Sequence, residues 1–189
     1  MNNINRKERV AVYIDGSNFY GYLKDTAVNF PKGTKFDFKK FVDFLVRDNR
    51  ELISKRYYTG VFRNLDGSEK SKKLVGGQQK FFTNIQNDGF TVKRGRIMPI
   101  GGVFKEKGTD VKIAVDLIVG AVDDLYDTAI LVSSDTDLIP AIRHVKYKNK
   151  RVEYVGFAHS PSLGIQKYAD LSRLLLKDDI EKFKEEALL

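Results

Sequence analysis

Two short apolar runs that end in acidic residues constrain the fold of this chain more than any other feature of its sequence. Val10–Ile14 is followed directly by Asp15, and Ala129–Ser133 is followed, after one more serine, by Asp135 and Asp137. Runs of this length and composition are typical of buried strands. In an open α/β sheet, ligands bind at the carboxyl ends of the strands. We therefore expect these acidic residues to lie together at one edge of a sheet.

Strand-like runs alternate with helical patterns from residue 10 to about residue 157, which predicts βαβ units and a parallel sheet. The expected strands are Val10–Ile14, Ser54–Val61, Phe90–Arg94, Ala129–Ser133 and Val152–Phe157. The expected helices are Phe19–Ala27, Phe38–Val46, Glu69–Asn87 with a break near Gly76, Val111–Val122 and Leu138–Tyr147, and Arg96–Val103 is expected to be a hairpin or loop. The pattern predicts an α/β fold with three α/β/α layers and a mostly parallel five-stranded sheet.

The clearest helical pattern lies at Val111–Val122, where one continuous apolar stripe is formed by Val111, Ala114, Val115, Ile118, Val119 and Val122. We expect one domain over residues 1–189, with a core of about 10–157 and a helical tail of about 162–189. A short helix after Ser162 and a charged amphipathic helix at Asp178–Leu189 are expected in this tail. The last helix packs either on its own domain or on a second copy in a homodimer, and packing on its own domain is favoured.

The composition excludes several kinds of site. The chain has no cysteine, so disulfides, thiolate zinc sites and a cysteine nucleophile are excluded. With two histidines, a histidine-rich metal site is excluded as well, and any metal must be held by oxygen. No stretch approaches the roughly 20 apolar residues of a membrane-spanning helix, and the first residues lack the apolar stretch of a signal peptide. We expect a cytoplasmic protein without a membrane partner.

The net charge of +8 must lie away from the acidic runs. Much of it falls in residues 63–80, 93–107 and 143–151. A basic surface around an acidic pocket suits a polyanion whose phosphates are steered toward the pocket, although solubility alone explains such a charge about as well. The candidate nucleic-acid-binding residues are Arg63, Lys93, Arg94, Arg96, Lys105 and Lys107, and Tyr57, Tyr58 or Phe104 are candidates for stacking on unpaired bases, which favours single-stranded RNA.

Each acidic residue also has a structural explanation, because aspartate is a favoured N-cap at a strand-to-helix junction. Asp110 and Asp137 each precede an expected helix, and taken singly both are explained by capping. Asp135 and Asp137 together are harder to explain, since carboxylates this close repel each other unless a cation lies between them. A hard divalent cation such as Mg²⁺ takes oxygen ligands of this kind. The acidic runs therefore predict a metal site.

Polar residues beside the acidic ones are candidates for supporting roles. Asn18 either caps the first helix or turns toward a phosphate or a metal-bound water, and Ser133 and Ser134 either donate to phosphate oxygens or serve turn geometry. Asp116 lies off the apolar stripe of its helix, and its options are a metal contact, a water contact and plain surface charge. A P-loop and a serine-histidine triad pattern are both absent from the sequence.

Four segments of the sequence, taken in order, resemble the NYN family, including its LabA-like bacterial branch, within the PIN-like nuclease superfamily. They are Tyr13–Asn18, Lys107–Val111 with Asp116, Leu131–Leu138 and Lys150–Val152. The resemblance implies a five-stranded parallel sheet of PIN-like, Rossmann-like topology and a Mg²⁺- or Mn²⁺-dependent ribonuclease site. It also makes Asp15, Asp110 and Asp135 the metal-binding carboxylates. Asp137, Asn18 and Asp116 match further positions of the family motifs, and Ser134 stands where relatives often carry glycine.

We therefore predict a metal-dependent ribonuclease that hydrolyses phosphodiester bonds of single-stranded RNA, with Asp15, Asp110, Asp135 and Asp137 as its catalytic residues. The first alternative is a non-catalytic nucleic-acid-binding or regulatory module with the same fold. The second is a small-molecule phosphatase, although the Asp-x-Asp pair of this chain follows a late strand rather than the first.

Overall fold

The described part of the chain, residues 6–31, 34–47, 49–62, 67–101 and 103–185 of a computed structural model, contains seven strands. They are β1 (Arg9–Asp15), β2 (Glu51–Val61), β3 (Thr91–Ile100), β4 (Val103–Lys107), β5 (Thr128–Val132), β6 (Arg151–Phe157) and β7 (Leu171–Leu175). All seven belong to one sheet in the order β4-β3-β2-β1-β5-β6-β7. Neighbouring strands are parallel except β3 and β4, which form an antiparallel hairpin.

Helices cover both faces of the sheet. They are α1 (Gly16–Lys24), α2 (Phe38–Val46), α3 (Glu69–Asn87), α4 (Thr109–Val122), α5 (Ile139–Tyr147), α6 (Leu163–Tyr168) and α7 (Lys177–Glu181). Alternate residues of β1 enter two separate cores, because successive side chains of a strand point to opposite faces. Val12 and Ile14 pack with α1, α2, α3 and α7, whereas Ala11 and Tyr13 pack with α4, α5 and α6. The predicted α/β fold with helices on both faces of a mostly parallel sheet is confirmed.

The predicted number of five strands is wrong, because β4 and β7 join the two edges of the sheet. β4 begins at Val103, the last residue of the segment expected to be a hairpin or loop, and its charged sequence Val-Phe-Lys-Glu-Lys has no long apolar run. β7 carries exposed Leu171 and Leu174 and is held by parallel pairing with β6. Both strands depend on pairing with a neighbour rather than on a buried apolar run, so periodicity does not reveal them.

Two further expectations are corrected. Helix α3 runs through Gly76 without a break, since buried Phe82 and Ile85 anchor it to the core. The last helix, expected at Asp178–Leu189, ends at Glu181, and residues 186–189 lie outside the described residues. Buried Ile180 and Phe183 hold the described part of this tail against its own chain.

The face of helix α4 that packs against the core is not the apolar stripe identified from the sequence. Ile113 and Leu117 are fully buried beside Ala121, whereas the four valines of the stripe are 45–60% exposed, namely Val111 60%, Val115 50%, Val119 45% and Val122 51%. The helix is apolar around most of its circumference, so its sequence contains two stripes, and contacts with the sheet decide which one is buried.

Ion pairs lie within the core and at the amino-terminal edge of the sheet. Glu153 on β6 is buried, and its two carboxylate oxygens each lie 2.7 Å from a guanidinium nitrogen, one of Arg50 and one of Arg173. At the amino-terminal edge, Arg9 at the start of β1 pairs with Asp127, Oδ1 to Nη2 2.9 Å, and the same cluster includes Asp124 and Lys150. No helix of the described residues has the length and apolar character needed to cross a membrane.

Candidate metal and nucleic-acid site

The acidic runs meet where the two central strands of the sheet end. Strands β1 and β5 are parallel neighbours, with Ile14 opposite Val132, so the residues that follow them lie side by side. The chain continues from β1 to β2 on one side and later adds β5 on the other, so this is the point at which the strand order reverses. In open α/β sheets such a reversal opens a crevice that binds ligands.

Asp15 and Asp135 are linked through a serine hydroxyl. Asp15 caps α1 by accepting a hydrogen bond from the Asn18 backbone N–H, 3.1 Å from Oδ1. Its Oδ2 accepts from the Ser133 hydroxyl at 3.0 Å, and the same hydroxyl oxygen accepts from the Asp135 backbone N–H at 3.2 Å. Asp135 caps a single 3₁₀ turn at Thr136–Leu138 through the Asp137 N–H, 3.0 Å from Oδ1. The loops after β1 and β5 therefore form one connected unit.

Two more of the predicted supporting residues strengthen this link. The side-chain oxygen of Asn18 accepts a hydrogen bond from the backbone N–H of Ser134 at 3.1 Å. The Ser134 hydroxyl lies 2.9 Å from the phenolic oxygen of buried Tyr154. Asn18 and Ser134 thus fix the positions of the two loops relative to each other and to β6.

The structure adds one carboxylate that the sequence analysis missed. Glu106, near the end of β4, accepts hydrogen bonds from the hydroxyls of Ser17 and Thr109, so its two oxygens connect the start of α1 to the start of α4. A side chain at Gly60 would lie 3.0 Å from the Glu106 carboxyl carbon, so glycine leaves room for this carboxylate. The sequence feature that could have identified Glu106 as a site residue is its position directly before the segment Lys107–Asp110.

The electrostatics of the site centre on Asp15, whose side chain is 8% exposed. Burial raises the pKa of Asp15 from its ordinary 3.8 to about 6. The hydrogen bonds from Asn18 and Ser133 oppose this shift, whereas the negative charges of Glu106 and Asp135 add to it. A carboxylate in such surroundings would be stabilised by a cation.

Asp137 follows Asp135 in this unit, whereas Asp110 follows Thr109, whose hydroxyl binds Glu106, and neither aspartate caps a helix. Asp110 is half-buried in the first turn of α4, where the N-cap is Gly108 with a φ of 78°. Asp137 is exposed within the 3₁₀ turn, and the N-cap of α5 is Leu138. Among the described residues neither side chain has a hydrogen-bond or ion-pair partner, so the capping explanation fails for both.

Asp116 has partners on the sheet instead of in the acidic unit. It accepts a hydrogen bond from the Tyr58 hydroxyl at 2.8 Å. Its Oδ2 lies 3.4 Å from an Arg56 guanidinium nitrogen and 3.3 Å from the Lys93 ammonium. All three partners belong to β2 or β3, and two of them neutralise its charge. Among the described residues, no hydrogen bond or ion pair links Asp116 to Asp15, Asp110, Asp135 or Asp137, and Lys93 is the predicted site residue that it contacts.

The donor set fits a hard cation bound by few protein ligands. Within the described ranges, no three acidic or histidine side chains converge closely enough to enclose a metal ion. Mg²⁺ commonly binds through one or two carboxylates and fills its remaining positions with water and substrate phosphate. Asp15 with either Asp135 or Glu106 meets that requirement with oxygen ligands alone.

A groove of about 690 Å³ is lined by residues of α1, among them Ser17, and of α3, together with Gly60 and Glu106. Aromatic side chains line it, including Tyr20, Phe62 and Phe81. Tyr20 is 55% exposed, whereas Tyr57 and Tyr58, the tyrosines proposed from sequence for stacking, are buried, and of these two Tyr57 also lines the groove. The side chain of the third candidate, Phe104, lies outside the described part of the structure.

The basic residues predicted to bind nucleic acid differ in whether they contact other side chains or are exposed. Lys93 is paired with Asp116, and the Arg94 guanidinium lies 5.1 Å from the centre of the Phe82 ring. Arg96, Lys105 and Lys107 are exposed on the β3–β4 hairpin, with Arg96 directly opposite Lys107. Arg63 lies outside the described residues. The hairpin is therefore the basic surface nearest to Glu106.

The fold is similar to that of a solved structure. The crystal structure of a protein of unknown function, VPA0982 from Vibrio parahaemolyticus RIMD 2210633, has a TM-score of 0.71 and 24% sequence identity, covering 98% of this chain and 100% of that one. At this identity the similarity shows the fold alone. A comparison with curated proteins finds no significant match. The NYN domain profile matches residues 9–172, from the start of β1 into β7. The chain therefore belongs to the NYN domain family, a PIN-like family of nuclease type, and is a nuclease-like module.

Proposed function

We propose that this protein is a Mg²⁺- or Mn²⁺-dependent ribonuclease that hydrolyses phosphodiester bonds of single-stranded RNA. The observation that carries the proposal is the buried carboxylate of Asp15, held at the switch point of the sheet beside Asp135 and Glu106. A buried carboxylate next to two others lowers the stability of the protein unless a cation binds there. Membership of a nuclease-type family agrees with this assignment.

In this proposal Asp15 holds the cation together with Asp135 or Glu106, and Asp110 acts on it through a bound water. When bound, the cation would supply a water of lowered pKa and would neutralise the charge that develops on the phosphate. Ser133 and Asn18 keep the Asp15 and Asp135 loops in register through the hydrogen bonds described above. Asp137 is exposed beside them and is assigned to orient the attacking water.

The hairpin and the groove together favour a single strand as substrate. Arg96, Lys105 and Lys107 would contact backbone phosphates, which is the usual source of affinity for nucleic acids. An unpaired base that leaves the backbone near Glu106 would enter the groove and stack on Tyr20. Bases inside a duplex are already stacked and cannot do this. Membership of the LabA-like branch stays a prediction, because the family match reaches only the NYN domain as a whole.

The direct test is cleavage of an end-labelled single-stranded RNA in Mn²⁺, in Mg²⁺ and in EDTA. We expect the wild-type protein to cut with either metal and not in EDTA. Asp135→Asn should lose cleavage while its thermal unfolding curve stays cooperative, because the substitution keeps the cap acceptor and removes the charge. Asp178→Asn, at an exposed position of α7, is the matched control and should cut normally. Full activity of a folded Asp135→Asn variant would contradict the proposal.

A second candidate function is a regulatory module that binds nucleic acid without cutting it. It is favoured by the observation that Asp15 and Asp135 both serve as caps, a role that needs no metal. A Mn²⁺ titration of thermal stability distinguishes the two, since a ligand that binds the native state must raise its stability. RNA binding with neither cleavage nor metal-induced stabilisation would select the regulatory module.

The role of the groove gives a separate prediction. Tyr20→Ala should weaken binding of a fluorescently labelled oligouridylate by about 5- to 150-fold, the effect of losing one stacking contact of about 1–3 kcal/mol. Tyr147→Ala, at another highly exposed tyrosine on α5, is the control and should bind as tightly as the wild type. Fluorescence anisotropy measures both. Equal affinity of the Tyr20 variant and the wild type would show that the base does not occupy this groove.

A further inference from the structure

The solvent face of α4 carries a continuous row of aliphatic side chains. Val111, Val115, Val119 and Val122 are all exposed, and Leu125 extends the row just beyond the end of the helix with 44% exposure. The opposite face, with Ile113 and Leu117, already packs on the sheet and on α5. Among the described residues, nothing covers the exposed row.

The residue types of this row are unfavourable for an exposed helix surface. Valine is β-branched and loses side-chain freedom in a helix, so it is a weaker helix former than alanine, lysine or glutamate. Scattered exposed apolar residues are ordinary, but a contiguous row marks an interaction surface. The row therefore indicates that a protein surface covers α4.

We propose that this surface is α4 of a second copy of the chain, packed antiparallel to the first across a two-fold axis. A two-fold interface places the same patch against itself, so an apolar row along one helix face is self-complementary. In an antiparallel pair the middle of the row, Val115 and Val119 of one protomer, meets the same residues of its partner.

The charges beside the row support this arrangement. Lys112 and Asp123 are both exposed, about three turns apart on the same flank of the row. Antiparallel packing brings Lys112 of each protomer to Asp123 of the other, which forms two intermolecular ion pairs. A parallel pair would not bring these two residues together. In contrast, Asp116 and Asp124 already have basic partners within the chain.

The signs of these two charges run against the dipole of α4. The amino-terminal end of a helix favours negative side chains and its carboxyl-terminal end favours positive ones. Lys112 lies at the end of the first turn and Asp123 is the C-cap residue, so each carries the unfavourable sign. Neither has an ion-pair partner among the described residues. Pairing across a dimer interface explains both charges at once.

Nucleic acid fits this face poorly. Lys112 is the only basic residue between Thr109 and Leu125, and Asp116, Asp123 and Asp124 lie in the same segment. A polyanion would meet apolar and acidic groups here, whereas the basic hairpin residues lie on β3 and β4. The proposal for α4 is therefore independent of the proposed function.

Sedimentation equilibrium of the full chain through the micromolar range tests the interface. We expect the wild type to be a dimer and Val115→Glu to be a monomer, since two-fold symmetry sets the introduced charges close together. Leu74→Glu, at an exposed apolar position of α3, is the matched control and should remain a dimer. A monomeric wild type, or a dimer that survives Val115→Glu, would overturn the proposal.

Charge reversal tests the antiparallel arrangement itself. Lys112→Glu and Asp123→Lys should each weaken the dimer about 10-fold or more, and the double variant should regain wild-type affinity. Both substitutions are favourable for the helix dipole, so loss of the dimer cannot be attributed to loss of the helix. Failure of the double variant to regain affinity would exclude the antiparallel pairing.

Discussion

Replacing Asp15 by asparagine should raise the free energy of unfolding of the metal-free protein by about 3 kcal/mol at neutral pH. The reason is the cost of keeping a buried carboxylate ionised, which raises the pKa of Asp15 to about 6. Asparagine keeps an acceptor oxygen for the Asn18 N–H, and its amide N–H can donate to the Ser133 hydroxyl oxygen in place of the bond that Oδ2 accepts, without carrying charge. The same substitution should abolish stabilisation by Mn²⁺, so one change makes the protein more stable and less able to bind metal.

The pH dependence of this effect has a defined sign. Because the pKa of Asp15 is higher in the folded than in the unfolded chain, its favourable contribution is fully present below about pH 4 and is lost as the pH rises through about 6. Urea unfolding in EDTA at about pH 4 and about pH 7 measures it. The difference between variant and wild type should be small at the lower pH and about 3 kcal/mol at the higher one. A difference that is independent of pH would contradict this account.

The second large effect is expected in the core. Glu153→Gln should lower the free energy of unfolding by about 3–5 kcal/mol, the usual cost of breaking a buried ion pair. Glu153 is 3% exposed between Arg50 and Arg173, so its loss of charge leaves two guanidiniums without compensation.

Urea unfolding at neutral pH measures the effect of Glu153→Gln. Glu69→Gln removes a solvent-exposed pair with Lys72 and should change stability by less than about 0.5 kcal/mol. If the two variants were equally stable, the Arg50–Glu153–Arg173 contacts would have no stabilising role.

The parts of the fold that bury continuous apolar runs could be predicted from sequence. The bounds of α2 and α3 agree with the structure, and β1 and β5 differ by a residue at either end. Because these two strands are buried on both faces, their sequences are apolar throughout and end abruptly in Asp15 and in the loop that carries Asp135. The meeting of these loops at one sheet edge followed from the parallel arrangement alone.

Features that depend on contacts between distant segments could not be predicted. Glu106 lies in a charged edge strand, and only the folded chain brings it to the hydroxyls of Ser17 and Thr109. Asp116 has a motif position but is surrounded by Arg56 and Lys93, which come from β2 and β3. The hydrophobic periodicity of the sequence predicts helix α4, but it does not show which neighbouring strands the side chains of α4 contact.

The positions of the charged groups in the sheet have an evolutionary consequence. Stabilising ion pairs, such as Arg9 with Asp127, lie at the amino-terminal edge, whereas the buried Asp15 carboxylate lies at the opposite edge and lowers stability. A mutation that neutralises Asp15 should therefore increase the stability of the metal-free protein without any second mutation. If the proposed function holds, selection for metal binding keeps this carboxylate, and a lineage released from that selection would lose the proposed metal site in a single substitution while retaining the fold.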